Sequence, residues 1–299
     1  RDVAIVQELR RQNPQVEVSW LGHPLARKVL EDAGEAILPE SQLSADYSEA
    51  AFGTLDGFGF DIMKYVTVAR KPWAHNVDLF RQVIARYPFD LVIGDESYEL
   101  KDALAANTLD LKCRMIEIED FIGLEAMTRS PLEKLGVYLR NRRRARQPAL
   151  LGSRVTHFFV GELEDVPDRR FGIGLPNRRE FARTHCQILG NIVRFDPAEY
   201  ADKAKIKAKL GYGPGPLLVC ATGGTGAGKE LLELCGKAYS ILKTDIPDLH
   251  MVAVCGELFG KKPPELPAGV ELHSYISDLY EHYAACDMAV VVGGGTTTI

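Results

Sequence analysis

The chain has 299 residues, room for two domains of ordinary size, and its 46% hydrophobic and 26% charged content is that of an ordinary globular protein. A net charge of −5 sets up no global attraction to nucleic acid or to an anionic membrane, no apolar run reaches transmembrane length, and no signal peptide opens the chain. The six cysteines form no C-x-x-C pair and the seven histidines no metal-ligand spacing, which reads as reduced core thiols in a cytosolic protein.

Residues 2–12 place Val3, Ile5, Val6 and Leu9 at helical spacing and stop at Asn13-Pro14. A strand at 16–21, a helix at 25–32 closed by Gly34 and a short strand at 36–39 follow. This β–α–β rhythm indicates a parallel sheet. Residues 41–61 are polar, glycine-containing and aromatic, a long loop or a pair of short helices. Residues 63–87 are helical with an interruption near Lys71-Pro72. The strand at 89–94 ends in Asp95-Glu96. Acidic residues at the carboxyl end of a parallel strand are candidates for chemistry, here a general base or an acceptor contact. The alternative is a helix cap or turn carboxylate.

A strand at 114–118 precedes a helix opened by Ser130-Pro131, which runs into five arginines in seven residues, 140–146. One reading is a solvated helix end favoured by the macrodipole. The other is a patch for acidic lipid headgroups or a phosphorylated acceptor. It would set Arg140, Arg142, Arg143, Arg144 and Arg146 against the inner face of a membrane. His157 alternates into the strand at 155–160 as a packed core residue. Residues 165–185 show no clear periodicity, 186–194 form a short strand closing on a turn, and 198–210 form a lysine- and alanine-rich helix. The domain crossing is expected between 186 and 195, with domains of 1–188 and 189–299.

In the second domain an apolar strand at 217–222 leads into Thr222-Gly223-Gly224-Thr225-Gly226-Ala227-Gly228 and then a helix at 229–243. Strand, glycine turn and helix start aim free backbone N–H groups at a phosphate or diphosphate. Residues 223–229 match the first seven positions of the nucleotide-triphosphatase P-loop, but Glu230 stands where Ser or Thr should hold Mg²⁺. Strands at 250–255, 270–275 and 288–292 follow, the last ending in Gly293-Gly294-Gly295-Thr296-Thr297-Thr298. In a doubly wound sheet these turns share the carboxyl edge, where ligands bind.

This pattern resembles the GT-B nucleotide-sugar glycosyltransferases, and within them the MurG-like family of glycosyltransferase family 28 type. Three segments carry the likeness: Gly190-Asn191-Ile192-Val193-Arg194 at the domain crossing, with Ile192 in place of the family's proline; the loop 222–227; and residues 270–298, with Tyr275-Ile276-Ser277-Asp278 at the nucleobase position. The resemblance implies an α/β protein of two Rossmann-like, doubly wound parallel-sheet domains facing a cleft. It implies inverting, metal-independent transfer of a sugar from a nucleoside-diphosphate donor, UDP by the family's habit, to a hydroxyl acceptor, either lipid-linked or a glycan. Arg194 would contact the donor diphosphate, and Thr222, Gly223, Gly224, Thr225, Gly226, Gly293, Gly294, Gly295, Thr296 and Thr297 would supply donors to it. The backbone of Tyr275 and Ile276 would read the base. No cofactor and no nucleic acid partner are expected, and no Asp-x-Asp stands in the chain. The family's usual base and its ribose-gripping acid would fall in flanking segments outside this sequence, which leaves Asp95 and Glu96 as the catalytic candidates within it. Rival readings are a UDP-sugar 2-epimerase of the same fold, a P-loop nucleotide hydrolase, and a non-catalytic sugar-nucleotide-binding subunit.

Overall fold

The computed structural model describes residues 1–46, 54–56, 59–60, 62–193, 195–222, 228–256 and 263–292. The chain divides into two compact units, Arg1–Ala50 with Phe60–Val193, and Arg194–Ile299 with Ala51–Gly59.

The first unit opens with helices α1 (Asp2–Gln12) and α2 (Pro24–Asp32). The strands expected at 16–21 and 36–39 reduce to a single parallel bridge, Trp20 to Ile37. Helix α3 (Ile62–Arg86) runs unbroken through Pro72, so the expected interruption is absent. Its buried residues Ala69, Leu79, Phe80 and Val83 lie on both sides of the proline, and their burial outweighs the ~3 kcal/mol penalty of proline inside a helix. Then come β1 (Leu91–Asp95), α4 (Tyr98–Ala105), β2 (Arg114–Glu119), α5 (Pro131–Leu151), β3 (Val155–Phe159), α6 (Arg178–His185) and β4 (Cys186–Ile188). Helix α6 lies in the stretch that read as irregular. Asn177 caps it by accepting from the Glu180 N–H at 3.1 Å, and Phe181 and Ala182 are its buried face. It is too short to repeat an apolar pattern.

The four strands are parallel in the order β1-β2-β3-β4. Each right-handed crossover moves one strand further the same way, so the helices gather on one face. Met115, Val155 and Leu104 pack there with Phe80 and Leu151, and Phe159 packs with Phe181 and Ala182. On the other face of β1, Leu91 and Ile93 stay partly exposed.

The second unit contains α7 (Lys203–Lys209), β5 (Leu217–Ala221), α8 (Lys229–Asp245), β6 (His250–Val254), β7 (Val270–His273), α9 (Leu279–Ala285) and β8 (Met288–Val291). All four strands are parallel, in the order β8-β5-β6-β7. The sheet is covered on both sides. Leu218, Cys220, Met251 and Ala253 pack with Leu232, Cys235 and Tyr239 of α8. Leu217, Val219, Ala221, Val252 and Val254 pack with Ile206 of α7 and Ala285 of α9. Burial on both faces is why these strands read as unbroken apolar runs. Asp287 ties the strand starts together, accepting from the Leu217 N–H at 2.8 Å and from Lys203 and Lys207 of α7 at 2.5 and 3.0 Å.

Candidate functional site

The second sheet contains a reversal. The chain lays down β5, β6 and β7 in one direction, then returns to place β8 on the opposite side of β5. Strands β5 and β8 are thus neighbours at a topological switch point, and an open α/β sheet has its ligand crevice at such a point, beyond the carboxyl ends of the strands. In the sequence, β5 and β8 are each followed by a glycine-rich segment. Ala221 and Val291 are register partners, and the Val292 N–H donates to the Ala221 carbonyl at 3.4 Å.

Gly228 caps α8 at φ 109°. A Cβ there would stand 2.7 Å from Val292 Cγ2 and 2.8 Å from Thr222 Cγ2. Glycine thus lets the helix start approach the ends of both strands. The first N–H groups of α8 open beside the ends of β5 and β8, the arrangement that receives anions. Thr222 is buried, and its hydroxyl donates to the Cys255 carbonyl at 3.2 Å. It locks the start of the turn to the end of β6. Lys229 lies 3.5 Å from Glu233 one turn along its own helix. Gly223, Gly224, Thr225, Gly226, Gly293, Gly294, Gly295, Thr296, Thr297 and Arg194 lie outside the described residues.

Tyr275 and Ile276 follow β7, and Ile276 packs against the α7–α9 face with Leu279 and Tyr283. An aromatic cluster that the sequence reading missed stands beside them. Phe195 stacks on Tyr280 at 4.3 Å between ring centroids and 14° between planes, and Tyr200 meets both rings edge-on. This fixes the chain immediately after Arg194 against α9, just past the 275–278 turn. The visible signal was three aromatics at 195, 200 and 280, but nothing in their spacing joins them.

In the first unit, Asp95, Glu96 and Asp120 gather at the carboxyl ends of β1 and β2. The guanidinium of Arg1 holds Asp95 and stands 3.7 Å from Asp120. Glu96 occupies the left-handed region at φ 52°, an uncommon conformation for a side chain other than Gly, Asn or Asp. Burial, then the hydrogen bond and charge of Asp120, push its carboxyl well above the carboxylate range; Tyr98 donates to it at 3.1 Å. The shift favours the protonated carboxyl of Glu96, hydrogen-bonded to Asp120. Asp2 is shifted the same way by burial and the neighbouring Asp95 charge. Among the described residues, no group of three or more His, Cys, Asp or Glu could hold a metal ion.

Beneath this edge lies a buried ionic layer. Glu117 and Glu119 of β2 face Lys101 of α4 and Arg144 of α5, with His157 in the register row of Glu117. Ser97 Oγ donates to Glu117 at 2.6 Å. A Cβ at Gly94 would stand 2.8 Å from the Glu117 carboxylate. His157 is buried, as its alternation suggested. The five arginines separate by role. Arg144 is withdrawn into the layer as the counter-charge of Glu119, Arg143 lies 3.3 Å from Asp102, and Arg140 covers the Trp73 ring at 5.6 Å. A wholly solvated basic helix end, and a membrane contact using all five, are thereby corrected: a buried carboxylate needs a buried cation.

No family model and no curated protein sequence matches the chain. Solved structures do. A glycotransferase of kitacinnamycin superposes with a TM-score of 0.56 at 15% identity, over 98% of this chain and 71% of that one. The glycosyltransferase SnogD from Streptomyces nogalater gives 0.52 at 18%, over 99% and 73%. A putative UDP-N-acetylglucosamine 2-epimerase from Listeria monocytogenes gives 0.51 at 12%, over 98% and 70%. With its two parallel four-stranded sheets and flanking helices, the chain has the two-domain, Rossmann-like GT-B fold.

Proposed function

We propose that this protein is a glycosyltransferase that moves a sugar from a nucleoside-diphosphate donor, a UDP-sugar by its resemblance, to a hydroxyl acceptor. The observation that carries the reading is the sheet reversal, where adjacent strands β5 and β8 each end just before a glycine-rich segment of the sequence and Gly228 opens α8 against the ends of both. A diphosphate bridge suits main-chain N–H groups converging from two turns and a helix start. Arg194 would add a planar, permanently charged partner for its oxygens. Tyr275 and Ile276 would present backbone to the nucleobase.

The acceptor oxygen attacks the anomeric carbon on the face opposite the diphosphate, with inversion. The anomeric carbon–oxygen bond to the diphosphate breaks as the new glycosidic bond forms, and the leaving diphosphate takes the electron pair. Its growing charge is met by N–H groups and the guanidinium, so the step needs no metal. A base removing the acceptor proton contributes about 10²- to 10⁴-fold. Within this chain Asp95 and Glu96 are the candidates for that role or for an acceptor contact.

A melting-temperature panel of UDP, other nucleoside diphosphates and their sugars tests the donor site. A ligand at about 100 times its Kd stabilises the folded state by about 2.7 kcal/mol, and no shift with any nucleotide sinks the proposal. Epimerisation is the second reading, favoured by the likeness to the Listeria protein. Incubation with UDP-sugar alone separates the two, because an epimerase turns over without acceptor.

A further inference from the structure

Ser97 occupies the N-cap of α4, yet its side chain makes no cap bond. Serine is among the preferred cap residues because its oxygen accepts from the first free N–H groups of a helix. Here the hydroxyl donates instead to Glu117 Oε2 of the neighbouring strand, at 2.6 Å. Glu117 is fully buried, and its Oε1 has no hydrogen-bond partner. Lys101 stands 3.8 Å away. The serine therefore supplies the one hydrogen bond this carboxyl makes among the described residues. Gly94, the register partner of Glu117, makes the reach possible. A Cβ there would collide with Ser97 Oγ and stand 2.8 Å from the Glu117 carboxylate.

The consequence falls on Glu96, between Gly94 and Ser97. Its N–H donates to the Ile118 carbonyl at 3.0 Å, and its own carbonyl accepts from the Tyr98 N–H at 2.8 Å. These bonds hold it in the left-handed region at φ 52°. Such a conformation persists only where its surroundings over-determine it. Both residues that follow it are held from the buried ionic layer. Glu117 holds Ser97, and the Lys101 ammonium lies 5.0 Å from the centroid of the Tyr98 ring, whose hydroxyl donates to Glu96. A hydrogen bond made for stability alone requires neither a forgone helix cap, nor a glycine, nor a left-handed glutamate. Three departures from local preference within four residues mark a place where geometry is specified. We propose that Glu117 and Ser97 are positioning residues: the buried carboxyl, acting through the serine hydroxyl, sets the Asp95–Glu96 turn against the acceptor. The proposal rests on the reading of Asp95 and Glu96 as the groups that meet the acceptor.

The experiment compares the full chain with Ser97→Ala, Ser97→Thr and Ser97→Asp, each checked for native circular dichroism. Carbon NMR follows the titration of the Glu96 carboxyl, its signal assigned by loss in Glu96→Gln, and needs no substrate. Asp95, Asp120, Tyr98 and, from α3, Tyr65 face this carboxyl, and none of them is altered. Wild-type Glu96 should titrate above the ordinary carboxylate range. Ser97→Ala frees the turn and should bring that titration down by about one pH unit or more as the carboxyl gains solvent. Ser97→Thr keeps the hydroxyl and should keep the wild-type titration. Ser97→Asp caps a helix as well as serine does, but it sets a second carboxyl against Glu117 and should behave like the alanine variant. In transfer assays Ser97→Ala should lower kcat by about ten- to a hundredfold, with the donor KM and the Kd for UDP unchanged. If the alanine variant does not fold, Ser97→Cys, of similar size and a weaker donor, should move the titration the same way. An ordinary titration of Glu96 in wild type overturns the proposal. So does a Glu96 titration unchanged in a folded Ser97→Ala or Ser97→Cys, or a Ser97→Asp variant that matches wild type. Absence of transfer by wild type defeats the transferase reading instead, and the titration then decides the positioning role by itself.

Discussion

Glu117 is completely buried, and burial pushes its carboxyl up to about 8, against the opposing pull of Lys101. A folded-state value above the ordinary 4.5 means the native state holds a proton that the unfolded chain has released. That stability is fully present below about 4.5 and declines as pH rises toward 8. His157, lowered by burial to about 4 from 6.5, works the other way and loses stability as pH falls through that interval. The window from 6.5 to 8 therefore belongs to Glu117 alone of the two. Urea unfolding across it should show wild type weakening with rising pH, and Glu117→Gln, which keeps the shape and the Ser97 contact, should flatten the slope. Parallel curves would contradict this. At Gly228 the left-handed φ and the crowding by Thr222 and Val292 make even a methyl group costly. Gly228→Ala should cost about 2–4 kcal/mol, the sum of strain and overpacking, and a melting temperature within a degree of wild type would refute it. Neither residue announced itself in the sequence. Glu117 sits in a strand whose alternation reads as half-exposed, and Gly228 is one glycine among several.

Among the elements, those buried on both faces were the easiest to read. Strands β5 and β6 are continuous apolar runs bounded by glycine and proline. Helix α6 was not legible, and the parallel strands read at 16–21 and 36–39 shrink to the single Trp20–Ile37 bridge. Helix α5 was found, but its orientation was not. Its leucines would ordinarily mark the inward face, and the buried carboxylate of Glu119 draws Arg144 inward instead. The contacts of Asp287 with α7 and β5 give the second unit its own acid dependence. Hydrogen bonds from Lys203 and then from the Leu217 N–H hold its carboxyl far below the ordinary range. The stability it contributes is present above its unfolded value of about 3.9 and is lost as pH falls below that. Asp287→Asn should lower the melting temperature at pH 7, and the gap from wild type should narrow steadily below pH 4. A gap that stays constant would place the effect elsewhere.

At the scale of the whole molecule, the α/β character and the second unit's four strands could be read from residue order. The reversal at β5 and β8 could not, because a list of strands does not say which of them become neighbours. Arg194 was singled out by resemblance, and the Phe195–Tyr280 stack holds the residue that follows it against α9. Arg194→Ala should weaken UDP binding by about ten- to a hundredfold, the usual cost of removing a charged hydrogen-bond partner, with the melting temperature of the free protein unchanged. Equal affinity by titration calorimetry would remove the residue from the donor site. Chelation with EDTA should leave transfer rates as they are.

The reversal in the second sheet also bears on how far the sequence can vary. Every amino acid except proline carries the same amide hydrogen, so a grip formed by loop backbone constrains where the chain goes far more than which side chains it bears. Apart from a few glycines, substitution can proceed almost unchecked around such a grip. The solved structures that share this fold match it at 12 to 18% identity. Searches for further kin should therefore be guided by strand order and the two glycine-bearing exits more than by residue matches.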